Sequence, residues 1–410
     1  MRIVALDVHR SFAQVAILES GKIRDAGKID LERRRLLQFA RKLKPDDEIV
    51  IEATGNTSAV ARLLSPFVSR VVIANPLLVR AIAWAKVKTD KIDAAILAKL
   101  HASGFLPEVW MPDEQTETRR RVVAERTQLV SQMTRLKNRI HSVLHANLIP
   151  PYKGILFSKR GRAWLEAQPL AEDQRRVVLR HAGELDRLGD ELAQVDKNLA
   201  QSALHDPRVK RLMTITGVNV TVALSVVAAV GDIERFSSPE KLVSYFGLNP
   251  RVRQSGDRPA YHGHITKQGR AHARSMLVEA AWVISKVPGP LHAFFIRIRD
   301  KRGKPVAAVA TARKLAVIVW HMLTKKEDYT WNRPALLDWK FRKLELKAGY
   351  PSRRGGRERG SAADYSKKSV RDSEREEIGN AEETYRRFVA TWKQQSSNRR
   401  SSAADEVRRS

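Results

Sequence analysis

The chain has 410 residues, 43% of them hydrophobic, which is enough for two or three domains with real cores and excludes a wholly disordered protein. Lysine and arginine number 75 against 45 acidic residues, and a formal net charge of +30 draws in polyanions, nucleic acid first among them. No cysteine is present, so disulfides and thiolate zinc sites are excluded, in keeping with a reducing cytosol.

The N-terminus enters a strand-like run, Met1 to Asp7, with no apolar leader. Apolar runs such as Val220 to Val230 are too short to span a bilayer, so the expectation is a cytoplasmic, nucleoid-associated protein away from membranes. Arg2 to Val8 and Phe12 to Leu18 read as a hairpin, and Lys22 to Ile29 as a third strand. Leu31 to Leu43 has helical spacing, Glu48 to Glu52 is a compact strand, and Thr57 to Leu64 is a helix. Arg70 to Ala74 is a strand closed by Asn75-Pro76, and Leu77 to Leu100 is largely helical. Three strands, helix, strand, helix, strand, helix is the order of an RNase H-like α/β layer, assigned to residues 1–112.

Glu117 to Leu148 is long, charged and helical, with Val123, Leu129, Val130, Met133, Leu136, Ile140, Val143 and Leu144 near heptad spacing. Pro150-Pro151 stops it, and a second helical stretch runs from Glu172 to about Leu204. Residues 113–205 therefore read as a coiled-coil arm, either a plain solvated helix pair or a dimerisation element. Asp206-Pro207 opens a mostly helical unit, 206–330, in which Thr216-Gly217-Val218 resembles the turn of a helix-hairpin-helix. Such a turn presents backbone N–H groups of Gly217 and its neighbours to DNA phosphate. Residues 331–410 lose periodicity and, rich in Arg, Ser, Gly and Glu, read as a basic, largely disordered tail.

Two constellations carry chemistry. Asp7 ends the first strand and Glu52 the fourth, both otherwise apolar, so each acid needs a reason. Asp90 and Asp93, three apart, share one helix face. Clustered acids repel unless cations sit between them, and hard oxygen ligands suit Mg²⁺ or Mn²⁺. Two such ions about 4 Å apart are the usual arrangement for phosphodiester displacement. The second constellation is Gly247-Leu248-Asn249-Pro250-Arg251-Val252-Arg253-Gln254-Ser255-Gly256-Asp257, followed by His262-Gly263-His264-Ile265-Thr266-Lys267-Gln268-Gly269-Arg270. A Ser-Gly pair such as Ser255-Gly256 commonly forms a plain turn, but with Arg251, Arg253, Lys267, Arg270 and Arg274 able to surround a phosphate, the Ser255 hydroxyl can instead attack it. Asp257, His262, His264 and a metal-bound hydroxide are all open as the base.

Ala5-Leu6-Asp7-Val8-His9, Ile51-Glu52-Ala53-Thr54-Gly55, Ala74-Asn75-Pro76, Lys88-Thr89-Asp90-Lys91-Ile92-Asp93-Ala94 and Gly247 to Gly269 together resemble a known family. It is that of insertion-sequence transposases with a RuvC-like DEDD domain followed by a serine-bearing transposase domain, the bridge-RNA-guided recombinase type. The resemblance spans roughly residues 1–325. It implies that Asp7, Glu52, Asp90 and Asp93 are the metal ligands and Ser255 the nucleophile, with Lys88 and Lys91 beside the nucleic acid. It further implies DNA cut and rejoined through a phosphoserine link, a homo-oligomer (a dimer pairing into a tetramer) with a site shared between protomers, and a structured guide RNA. Where the family often has an aromatic residue after Glu-Ala-Thr-Gly, this chain has Asn56-Thr57-Ser58, which puts the local packing in question. The expectation is therefore an insertion-sequence DNA recombinase. The alternatives are a metal-dependent junction-resolving nuclease without serine chemistry and a non-catalytic nucleic-acid-binding protein.

Overall fold

A computed structural model describes residues 2–82, 89–256, 258–352 and 361–409, with the side chains of 262, 361 and 393–409 left aside. The chain divides into two compact units, Met1–Asp113 and Glu114–Ser410.

The first unit holds a five-stranded sheet: β1 (Arg2–Val8), β2 (Phe12–Glu19), β3 (Lys22–Asp30), β4 (Glu48–Glu52) and β5 (Arg70–Ala74), in the order β3-β2-β1-β4-β5. β1 to β3 run antiparallel as a meander, whereas β4 and β5 join β1 in parallel. Strand alternation sorts β1 into two faces. Val4, Leu6 and Val8, with Ile49 and Ile51 of β4, pack on α1 (Arg33–Ala40) and α2 (Thr57–Leu64) through Leu36, Ala40, Val60 and Leu64. Ile3, Ala5 and Val50 pack on the opposite side, where α3 (Pro76–Ile82) gives Val79 and α4 (Asp90–Ala102) gives Leu97 and Ala98. A sheet covered on both faces explains why β1 and β4 read as unbroken apolar runs.

The second unit is mostly helical. α5 (Glu114–Ala146) and α7 (Glu172–Leu204) are 33 residues each and pack along one another, with α6 (Lys159–Glu166) near their turn. Val123, Leu129, Ile140 and Leu144 of α5 are buried as the heptad reading requires, while Val130 is 37% exposed. α8 (Pro207–Met213), α9 (Val220–Val230) and α10 (Pro239–Tyr245) follow, then a hairpin of β6 (Pro250–Arg253) and β7 (Tyr261–Ile265). α11 (Ala271–Ile284), α12 (Pro290–Arg302) and α13 (Lys304–Lys325) complete the core around α9, whose residues Val222 to Val230 are all buried. By length and composition α13 is apolar enough to cross a membrane, which the reading of short apolar runs missed. Its Ala308, Ala312, Leu315 and Val319 are buried inside this unit.

The tail departs from expectation. α14 (Pro334–Ala348) packs on α7, burying Leu344 and Ala348, and α15 (Lys368–Arg409) packs on α12. Two acids dock α15. Glu374 accepts from Arg333 Nε (3.2 Å) and Ala335 N (2.6 Å) at the start of α14. Glu382 accepts from Gly289 N (2.8 Å) at the start of α12 and faces His292 Nδ1 at 3.1 Å. Glu374, Ile378 and Glu382 recur every four residues, so one helix stripe meets two positive helix ends. A search for apolar periodicity passes over a stripe whose anchors are carboxylates.

Candidate active site

Asp7 continues the face of β1 that carries Ile3 and Ala5, and Glu52 the face of β4 that carries Val50. Leu6 pairs with Ile51 in parallel register, so the two acids follow one another's position at neighbouring strand ends on the α4 side. The far end of α4 is tied to the start of β4, where His101 Nε2 and Glu48 Oε2 meet at 2.5 Å. The helix therefore runs back along the strand, which carries its first turn, with Asp90 and Asp93, to the strand ends. The Thr89 hydroxyl starts that turn, accepting from Ile92 N at 3.3 Å. Among the described residues, ligand atoms of Asp7, Asp90 and His9 lie within 4.8 Å of one another. Asp93 and Glu52 stand beside this group rather than in it.

Burial raises the Asp7 carboxyl above its ordinary value; the charge of His9 works against the shift, and Asp93 and Asp90 reinforce it. Asp93 thus reaches Asp7 electrostatically. His9 Nε2 lies 3.3 Å from Asp7 Oδ2 and 3.4 Å from Asp90 Oδ1, but is aligned as a hydrogen bond to neither. Its ring stacks on Phe12 with centroids 4.6 Å apart, and Lys28 Nζ sits 4.3 Å over the same Phe12 ring and 3.9 Å from Asp90. Two carboxylates and a ring nitrogen gathered around a common space, with the charge of one acid disfavoured by burial and by its acidic neighbours, fit a divalent cation. His9 was missed as a site residue. Its signal was the spacing: two residues beyond Asp7, it extends the same strand face.

The question raised by Asn56-Thr57-Ser58 has a structural answer. Asn56 Nδ2 donates to the His9 carbonyl at 3.2 Å, and buried Thr57 donates to the Glu52 carbonyl at 3.1 Å. Asn56 thus ties the segment after β4 to the end of β1, and Thr57 fastens the start of α2 to the end of β4.

In the second unit Ser255 is exposed beside Gly256 in the loop of the β6–β7 hairpin, with no hydrogen-bond partner among the described residues. Arg251 and Arg253 are exposed on β6, and Lys267 is exposed just past β7. The hairpin base is braced by Thr266 Oγ1, which shares a hydrogen bond with Asn249 Oδ1 at 3.0 Å. Gly269 is required there: a Cβ would fall 2.2 Å from the Tyr245 carbonyl oxygen.

Other expected site residues have partners of their own. Arg274 Nη1 donates to the carbonyls of Phe246 (2.9 Å) and Lys267 (3.2 Å), which makes it a strut of the hairpin base. Arg270 Nε donates to the Tyr245 hydroxyl at 2.8 Å. Lys91 pairs with Asp25 at 2.6 Å. Gly217, at φ +90°, does lie in a turn between two helices, α8 and α9, but that turn is packed: a Cβ there would meet Ala280 O and Ile284 Cγ1 of α11 at 3.0 Å. Lys340 Nζ donates to three of the turn's carbonyls, those of Met213, Ile215 and Val218, at 2.6–3.0 Å. Lys88 and Asp257 lie outside the described residues, as does the His262 side chain.

An α/β layer with converging carboxylates, in a chain of net charge +30, defines a nucleic-acid-processing enzyme. The comparisons make this particular. Residues 4–148 match the DEDD transposase domain of the IS110 type, described as a transposase, and residues 209–295 match the transposase IS116/IS110/IS902 family. Similar proteins include the transposase for insertion sequence element IS1111A of Coxiella burnetii, 26% identical over 59% of this chain and 68% of its own length. The pilin gene-inverting protein of Moraxella bovis is 26% identical over 68% of this chain and 81% of its own. The transposase for insertion sequence element IS1328 of Yersinia enterocolitica is 25% identical over 72% and 88%. The chain belongs to the IS110/IS116 family of transposases, enzymes that cut and rejoin DNA.

Proposed function

We propose that this transposase moves an insertion sequence by serine attack on a phosphodiester, assisted by Mg²⁺ (or Mn²⁺) held by Asp7, Glu52, Asp90 and Asp93 on an RNase H-like (RuvC-like) layer. The observation that carries the reading is the approach of Asp7 and Asp90 to within 4.8 Å around His9, with Asp7 pushed up by burial and by its acidic neighbours. Strand order β3-β2-β1-β4-β5, with the acids at adjoining ends of β1 and β4, is the placement this reading needs. When bound, the divalent ion supplies positive charge at the phosphoryl oxygens as they become more negative. His9, stacked on Phe12, places its Nε2 between the Asp7 and Asp90 carboxylates, 3.3 and 3.4 Å from them.

The chain's own residues do the rest. Ser255 Oγ forms the bond to phosphorus as the bond to one deoxyribose oxygen breaks; the serine loses its proton and the departing oxygen gains one. Arg251, Arg253 and Lys267 hold the phosphate, with Arg270 and Arg274 at the hairpin base. The serine ester keeps the bond energy for rejoining, the chemical difference between a recombinase and a hydrolytic nuclease. The working form is a homo-oligomer, a dimer or tetramer, acting on element ends and target at the nucleoid, with a structured RNA selecting the sites.

The test is a denaturing gel of the protein with labelled element-end DNA, alongside sequencing of RNA that co-purifies. The expected result is a denaturation-resistant protein–DNA adduct, absent in Ser255→Ala and in Asp7→Asn. Nicking by Ser255→Ala at the wild-type rate, with no adduct in either protein, would establish the hydrolytic alternative instead.

A further inference from the structure

A groove of about 590 Å³ opens in the second unit between α5, α9 and the start of α11, and neither Ser255 nor any of the four carboxylates is among its described lining residues. Its size is that of a small-molecule site, for which roughly 300–1,000 Å³ is usual. One wall is a single face of α5, on which Arg120, Ala124, Thr127, Gln128 and Ser131 follow one another at helical spacing. The floor is Ser225, Ala228 and Ala229 of α9, small and buried. No aspartate or glutamate is among its described lining residues.

One edge of the groove is strongly positive. Arg120 Nη2 (3.1 Å) and Arg270 Nε (2.8 Å) both donate to the Tyr245 hydroxyl, which itself donates to the Ala229 carbonyl at 3.1 Å. Arg235 lies over the Tyr245 ring, 4.3 Å from its centroid. Burial pushes the Tyr245 phenol up, yet the charges of Arg270, Arg120 and Arg235 outweigh it and hold the group below its ordinary value. Burial likewise lowers Arg120, with Arg270 and Arg235 adding to the shift. Arg120 and Arg235 also donate to the Ala228, Ala229 and Val230 carbonyls, so part of their charge serves the negative end of α9. Asp232 offsets Arg235 in part. Arg270 is exposed at the start of α11 and adds its charge to the positive end of that helix. His272, lowered by burial and by Arg126, contributes a neutral ring 3.1 Å from Ser225 Oγ.

We infer that this groove is a nucleotide-binding subsite: it takes one unstacked nucleotide of a nucleic-acid strand, its phosphate on the Arg120–Arg270 edge and its base over the alanine floor. The chemistry is complementary at both ends. An anion meets converging guanidinium groups, and a flat neutral ring meets small apolar side chains bordered by Thr127, Gln128 and Ser131. A duplex keeps its bases stacked and does not enter. The groove shares Arg270 with the hairpin base, so the variant that separates this inference from the serine chemistry is one on α5, which leaves Ser255, the hairpin arginines and the four carboxylates in place.

Full-length protein tests it by fluorescence anisotropy with labelled single-stranded DNA and RNA of one sequence, and with the corresponding duplex. Ala124 is exposed on the wall, so Ala124→Trp fills the groove without disturbing the core, and far-UV circular dichroism verifies the fold. The expected result is a loss of about tenfold or more in single-strand affinity, with duplex affinity changed less than about twofold. Arg270→Gln lowers the slope of log affinity against log salt for single strands by about 0.7. The stronger of the DNA and RNA arms identifies the strand that supplies the nucleotide. Deoxyadenosine monophosphate competes better than either deoxyadenosine or inorganic phosphate. Unchanged single-strand binding by Ala124→Trp, or displacement by inorganic phosphate as effective as by the mononucleotide, overturns the inference.

Discussion

Replacing Asp7 by Asn separates the stability of the carboxylate cluster from its use. The Asp7 carboxyl is raised above its ordinary 3.8, first by burial and then by Asp93 and Asp90. A raised folded-state value means that the group's stabilising contribution is complete below the unfolded value and disappears as the pH climbs through the folded one. At pH 7, without metal, the ionised Asp7 is therefore a cost. Its ligand atoms and those of Asp90 lie within 4.8 Å, and two like charges at that limit repel by about 3.5 kcal/mol at an effective dielectric of 20. Lys28 beside Asp90 cancels part of this, leaving a net gain for Asp7→Asn of ~1–2 kcal/mol in chelator. Divalent metal reverses the order, because a ligand at 100 times its dissociation constant stabilises the wild type by about 2.7 kcal/mol. Hydrogen exchange with mass spectrometry on the full chain, following peptides from β1 and β4, measures both states. The expected pattern is stronger protection in Asp7→Asn under chelator and stronger protection in wild type under saturating Mg²⁺. Weaker protection of Asp7→Asn in chelator, or equal gains from Mg²⁺ in the two proteins, refutes the reasoning.

Three further outcomes follow from particular contacts. His101→Ala releases the far end of α4 from Glu48 and leaves that carboxylate half-buried, so the first unit loses ~1–3 kcal/mol in urea unfolding and requires more Mg²⁺ for protection of β1. Gly217→Ala places a Cβ 3.0 Å from the Ala280 oxygen at φ +90°, which costs ~1–3 kcal/mol of stability in the helical unit by calorimetry; a change under about 0.5 kcal/mol would show the α8–α9 turn to be loosely packed. Burial pulls the Lys340 ammonium down to about 7 from 10.5. Between those values the unfolded chain binds the additional proton, so the stability of wild type relative to Lys340→Met rises with pH over that window, by at most about 1.4 kcal/mol per pH unit, and is level below it. A difference that falls with rising pH would contradict an ammonium that burial disfavours.

Much of this molecule was written in local patterns. The β1, β4 and β5 strands form over the residues their β-branched runs predict, because a strand covered on both faces must be apolar at every position and so stands out from its surroundings. The acids at the ends of those runs were conspicuous for the same reason, and Thr89 with Asp90 and Asp93 has the signature of a helix start. The family, too, was legible from the segments around Asp7, Glu52, Asp90 and Ser255.

Tertiary structure decided which of those residues have partners and which chain segments are held in place. Asp90 reaches His9 and Asp7 because α4 lies along the sheet, with Leu97 and Ala98 buried against β1 and β4 and His101 meeting Glu48, a relation between residues 53 apart that no local window contains. Gly217 resembles a phosphate-binding turn until α11 packs against it and Lys340, more than 120 residues away, takes up its carbonyls. The tail looked unstructured because its fold depends on Glu374 and Glu382 meeting the starts of α14 and α12. Apolar burial is a property of a residue and leaves a periodic trace in sequence, whereas a hydrogen bond to a distant backbone belongs to a pair and leaves none.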